Sequence, residues 1–140
     1  MNPFKDQAEV MKAYGQTVGF INPDQGMAYY RMMIEEMAEF QLAFTKILID
    51  VEYTEDQANE IIAEIFDGCI DLIVVTIGFM HSMGMPSEAG WREVMQSNLS
   101  KIDPETGFVK RREDGKVLKP AGYKPPDLLS LIKSNLKEMQ

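Results

Sequence analysis

Six carboxylates fall into two tight groups. In "YRMMIEEMAEFQLAF" (residues 30–44), Glu35, Glu36 and Glu39 lie within five positions of an otherwise apolar, helix-like stretch. In "EIFDGCIDLIVVTIGF" (64–79), Glu64, Asp67 and Asp71 stand just ahead of a very hydrophobic run. At about 100° per residue, the three glutamates share an arc of roughly 100° on one helix. The second trio, spaced by three and then four residues, projects to one side of another helix. A solvated face would account for either group alone. Against it, Met32 and Ala43 lie on the same side as the glutamates, like charges three and four residues apart repel, and only Arg31 sits one turn before Glu35. Asp71, at the mouth of an apolar run, also needs a partner, because an unpaired buried charge is costly. A hard divalent cation satisfies both groups at once. Mg²⁺ takes oxygen ligands, and carboxylates from two facing helices can hold it while leaving room for water and substrate phosphates.

The elements that must present these groups are helical. Residues 4–18 read as a first helix, ended by Gly19 and an "NPDQG" turn at 22–26. A second helix spans 27–50, with Tyr30, Met33, Met37, Phe40, Phe44 and Ile47 as its core-facing stripe. After a linker around "DVEYTEDQ", Thr54 is the expected N-cap of a third helix, with Glu55 and Asp56 in its first turn. That helix runs to about His81 and is apolar nearly all round after Asp71, which predicts a place at the centre of a bundle. "GMP" (84–86) breaks it, and a fourth helix over 87–101 should bury Trp91, Val94, Met95 and Leu99. His81 is expected as a helix-end residue and Cys69 in the core. Beyond Ile102 the texture turns to Gly, Pro and charge, with Asp114-Gly115 as a tight hairpin turn and a short closing helix at 127–138. The expected fold is all-α: a four-to-five-helix bundle as one domain over 1–140, with a helical core at about 4–102 and a Gly/Pro-rich basic flap and last helix at 103–140.

Charge distribution sharpens the reading. The chain of 140 residues carries a formal charge of −8. Residues 101–124 hold seven basic side chains against four acids, a net of +3, which leaves the remainder at −11. An acidic body with a basic flap points away from nucleic acid and towards an anionic ligand that meets carboxylates through a metal ion. A single cysteine excludes an internal disulfide and fits the cytoplasm. The longest apolar stretch, Leu72 to Met80, is too short to span a bilayer. Apolar residues on more than one side of the second and third helices predict a homo-oligomer, a dimer or a tetramer.

"EEMAE", followed after 24 intervening residues by "EIFD", resembles the EExxE…ExxD signature of the all-α nucleotide pyrophosphohydrolases, the superfamily of MazG, the dimeric dUTPases and phosphoribosyl-ATP pyrophosphohydrolase. "DLIVVTIG", "EVMQSNLSK" and "REDGKVLKPAGYKPPDL" resemble the MazG-like branch in order and spacing, so the likeness covers roughly residues 28–129. In much of that family the aspartate of ExxD directly precedes the apolar run. Here that residue is Asp71, and its glutamate would fall on Gly68. Either Asp67 substitutes from one position away, or Glu64 and Asp67 form the pair and Asp71 is extra.

The resemblance implies Mg²⁺-dependent cleavage of a nucleoside triphosphate to the monophosphate and pyrophosphate, with Mn²⁺ as a substitute ion. The alternatives are a phosphoribosyl-ATP-type substrate and a non-enzymatic helical interaction module. The expected ligands are Glu36, Glu39, Asp67 and Asp71, joined by Glu64. Glu35 and Glu36 are the expected catalytic carboxylates, Glu35 through a second ion or as general base. Family likeness also makes Asn98 and Lys101 nucleotide contacts, with the Lys on phosphate. Arg112, Lys116 and Lys119 would close over the triphosphate, and Tyr123 would pack on a base or anchor the flap.

Overall fold

The computed structural model describes residues 1–49, 51–121 and 123–138. Five helices account for its regular structure: α1 (Pro3–Ala13), α2 (Pro23–Leu48), α3 (Glu55–Ser82), α4 (Ser87–Leu99) and α5 (Leu128–Glu138). Among the described residues there are no strands, only isolated bridges, so the fold is all-α. No helix among them is long and apolar enough to cross a membrane. The chain forms two compact units, Met1–Met85 and Pro86–Gln140.

In the first unit α1, α2 and α3 pack as a bundle, with α3 touching both others. Local chemistry sets each boundary. α1 ends at Ala13, five residues before the expected Val18, because Gly15 at φ +70° turns the chain and Gln16 N returns to Met11 O. The "NPDQG" segment is a helix start rather than a separate turn. Asn22 caps α2 by accepting from Gln25 N, and Pro23 fills the first helical position, where its missing N–H costs nothing. α2 closes at Leu48; residue 50, the expected end, lies outside the described residues. Thr54 opens α3 as expected, in a capping box with Gln57.

Gln25 fastens the joint between α2 and the end of α3. Its side chain accepts from Thr17 N at 2.8 Å and donates to Thr17 O at 2.8 Å and Ser82 Oγ at 2.7 Å. His81 lies in the last turn of α3, a helix-end position as expected, its Nε2 2.8 Å from the Phe4 carbonyl oxygen. Met11, Tyr29 and Val75 form the core, flanked by Val18, Met32, Met33 and Phe79.

The core-facing stripe of α2 differs from the expected one. Tyr29 and Ala43 are buried, and Met33 and Phe40 are half-buried, whereas Tyr30 is 50% exposed and Met37, Phe44 and Ile47 are also exposed. The period is right and Met33 and Phe40 belong to both stripes, but the face turns so that Tyr29 rather than Tyr30 enters the core, because Gly78 admits the Tyr29 ring against α3. Nor is α3 enclosed: Phe66 is 66% exposed and Ile62, Ile70 and Ile73 are also exposed. Within the first unit, α1 and α2 are the helices that pack against it. Cys69 is likewise exposed rather than core.

In the second unit α4 packs with α5. Ser130 N donates to Asp127 Oδ1 at 3.0 Å, and Asp127 N donates to Glu93 Oε1 at 3.0 Å, which ties the start of α5 to α4. Trp91, expected as a packing anchor, is 59% exposed, and Leu99 is exposed too; Val94 and Met95 are half-buried. The Asp114-Gly115 turn forms as expected, with Gly115 at φ +81° and an Arg111–Val117 bridge beside it.

Candidate active site

The two acidic groups face each other across α2 and α3. Glu36 and Glu39 from α2, and Glu64, Asp67 and Asp71 from α3, line one open cavity of about 280 Å³, together with Leu42, Ala43, Lys46 and Gly68. The helices meet closely there. A Cβ on Gly68 would lie 3.2 Å from Phe40 Cβ and 3.3 Å from Phe40 Cα. The position where the family pattern would place a glutamate is therefore a helix contact, and the acids beside it come from one residue earlier and three later. Glu35 is exposed and does not line the cavity.

Electrostatics follow from this crowding. The Glu36 carboxyl is held above the ordinary glutamate range, first by burial and then by the charges of Asp71, Glu39, Glu35 and Asp67. Among the described residues the only ion pair in the cavity joins Lys46 to Glu64. The donor set, all hard carboxylate oxygens from facing helices, suits Mg²⁺ in kind. As the side chains stand, no three such groups among the described residues converge as an ion-holding cluster.

The expected nucleotide contacts divide into two sets within the second unit. Lys101 Nζ donates to Asn98 Oδ1 at 2.8 Å and lies 5.6 Å from the Tyr123 ring centroid; Lys119 Nζ lies 4.7 Å from the same centroid. Lys101 and Lys119 line a cavity of about 630 Å³ with Asp103, Lys110 and Leu118. Ser97 Oγ is 3.2 Å from the Tyr123 hydroxyl, which with the two ammonium groups holds the phenol below its usual range. Arg112 and Lys116 do not line this cavity. The Arg112 side chain pairs with Asp114, and the backbone N–H of Lys116 donates to Asp114 Oδ1 at 3.1 Å within the hairpin turn.

Two basic residues that line these cavities, Lys46 and Lys110, are not among the expected site residues. Lys46 falls seven positions after Glu39, on the same helix face, so the helical period could have found it. Lys110, which pairs with Asp103 at 2.7 Å, sits in an irregular segment where no period applies.

An all-α chain that opposes an EExxE helix to a second acidic helix defines the MazG-like class of pyrophosphohydrolases. Comparison with protein families places it more narrowly: the phosphoribosyl-ATP pyrophosphohydrolase family matches residues 22–98, more than half the chain. The chain belongs to that family, whose enzymes are pyrophosphohydrolases acting on phosphoanhydride bonds and are typically Mg²⁺-dependent. Comparison with curated proteins finds no match.

Proposed function

We propose that the chain is a cytoplasmic, divalent-cation-dependent nucleotide pyrophosphohydrolase that splits the α–β phosphoanhydride of a nucleotide's triphosphate arm. The observation that carries this reading is the meeting of five carboxylates from two helices at one cavity, with Glu36 raised in pKa by its neighbours. Mg²⁺, or Mn²⁺ in its place, would neutralise phosphate charge and polarise phosphorus. Glu39, Asp67 and Asp71 would hold the cation, with Glu64 as a further ligand. Glu36 accepts the proton of the attacking water, as a carboxylate held above its ordinary range suits. One P–O bond forms to the water oxygen, the α–β bridging P–O bond breaks, and pyrophosphate leaves. Glu35 contributes its charge from outside the cavity. In the second unit, Lys101, Lys119, Asn98 and Tyr123 are the proposed nucleotide contacts, supported by the packing of both ammonium groups on the Tyr123 ring.

The family match favours phosphoribosyl-ATP as substrate over an unmodified nucleoside triphosphate. Both carry the same triphosphate arm, so the reaction is common and the base decides. Pyrophosphate release is the deciding measurement, with phosphoribosyl-ATP, ATP and a panel of deoxynucleotides offered with Mg²⁺ or Mn²⁺. Phosphoribosyl-ATP is expected to give the highest kcat/KM. Preference for a plain triphosphate reverses the substrate assignment, and silence with every nucleotide ends the enzymatic reading.

The exposed apolar side chains of α2 and α3 support self-association as a homodimer or homotetramer. Sedimentation at micromolar concentration is expected to give at least twice the chain mass of 15.9 kDa. A well-folded species at the monomer mass overturns it.

A further inference from the structure

Lys46 stands out because, among the described residues, it is the one cation lining the acidic cavity. It lies three residues after Ala43 on the same face of α2, and the Tyr53 hydroxyl donates to its carbonyl oxygen at 3.0 Å, which fixes the last turn of the helix. Its ammonium pairs with Glu64. Among the described residues, none of Glu36, Glu39, Asp67 and Asp71 has an ion-pair partner. The pair therefore offsets part of a repulsive cluster and occupies an oxygen of one prospective ligand.

We propose that Lys46 is a positioning residue, an internal counter-ion that a divalent cation displaces from Glu64, so that the Lys46–Glu64 pair sets the cavity's affinity for the metal. The inference rests on the cavity being a divalent-cation site. A carboxylate oxygen engaged by an ammonium is a poorer metal ligand, and a fixed positive charge repels a second one. Both partners are substantially exposed, 45% and 51% at the side chain, so the exchange is a modest one.

Calorimetric titration of Mg²⁺ into the full chain without nucleotide tests this. Lys46→Met is expected to bind Mg²⁺ about two- to fivefold more tightly than wild type, the range an exposed ion pair can contribute. Lys46→Arg keeps the charge and should titrate like wild type. With Glu64→Gln already present, the gain from Lys46→Met should shrink, since the competing pair no longer exists. Unchanged or weaker binding in Lys46→Met, with wild type binding normally, overturns the counter-ion role and leaves the metal reading standing. Absence of binding in wild type and in Lys46→Met alike overturns the metal reading itself, and the counter-ion role with it.

Discussion

Glu39→Gln and Asp71→Asn are each expected to lower turnover by about a hundredfold or more, because a bound cation supplies several kcal/mol of charge stabilisation and each change removes a ligand. Far-ultraviolet circular dichroism should show unchanged helix content. Glu36→Gln should be equally damaging to turnover, yet it should raise the thermal midpoint of the metal-free protein. The sign follows from the raised pKa of Glu36. Between the ordinary glutamate range and its elevated value, the folded chain binds more protons than the unfolded one. Stability of the metal-free protein therefore falls as pH rises through that window. A glutamine has no charge to repel, so the variant loses this pH dependence. If Glu36→Gln leaves both turnover and the metal-free midpoint unchanged, the cavity is only an acidic surface.

This opposition of stability and activity is the physical content of the site. Glu36 lies on the stripe of α2 that runs through Tyr29, Met33, Phe40 and Ala43 towards α3, a place where an apolar side chain would serve packing better. A charge kept there at a cost to the fold is what a cation site requires.

The site was more legible than the packing around it. Carboxylate identity and helical spacing suffice to put Glu36, Glu39, Glu64, Asp67 and Asp71 on facing sides, and those are the five that line the cavity. Glu35, though it shares their arc of the helix, is exposed and lies outside it. The packed face of α2 shares Met33 and Phe40 with the expected stripe but takes Tyr29 and Ala43 in place of Tyr30 and Phe44. Tyr29 and Tyr30 are equivalent as residue types, and only the space above Gly78 decides which enters the core. "NPDQG" has the composition of a turn, but the same residues supply a cap, an N1 proline and the Gln25 clasp. Trp91, expected to be buried, is 59% exposed, because a large apolar residue type does not by itself fix how deeply a helix face is covered.

Two glycines of α3 therefore do more than fill positions, and Gly78→Ala is expected to be the most damaging methyl addition in the first unit. A Cβ at Gly78 would lie 2.1 Å from Tyr29 Cε1 and 2.5 Å from Cζ. Tyr29 has little room to retreat: it is only 5% exposed, and its hydroxyl is held 2.8 Å from Gln16 Oε1. Helix propensity favours the substitution by about 1 kcal/mol, since Ala is better than Gly in a helix interior. Steric overlap opposes it, and overpacking costs typically about 1–3 kcal/mol, more where a buried ring must leave its rotamer. Overlap wins, because a gap of 2.1 Å cannot be relieved without moving the Tyr29 ring or parting the helices. The expected result is a fall of about 5–10 °C in the thermal midpoint. Turnover should fall as well, because the α2–α3 contact that receives Tyr29 also sets Glu36 and Glu39 opposite Asp67 and Asp71. Shrinking the ring should relieve the clash, so Gly78→Ala combined with Tyr29→Leu should melt higher than the sum of the two single effects predicts. A Gly78→Ala protein that melts at or above the wild-type temperature would mean that the close approach of Tyr29 to α3 does not hold the two acidic helices together.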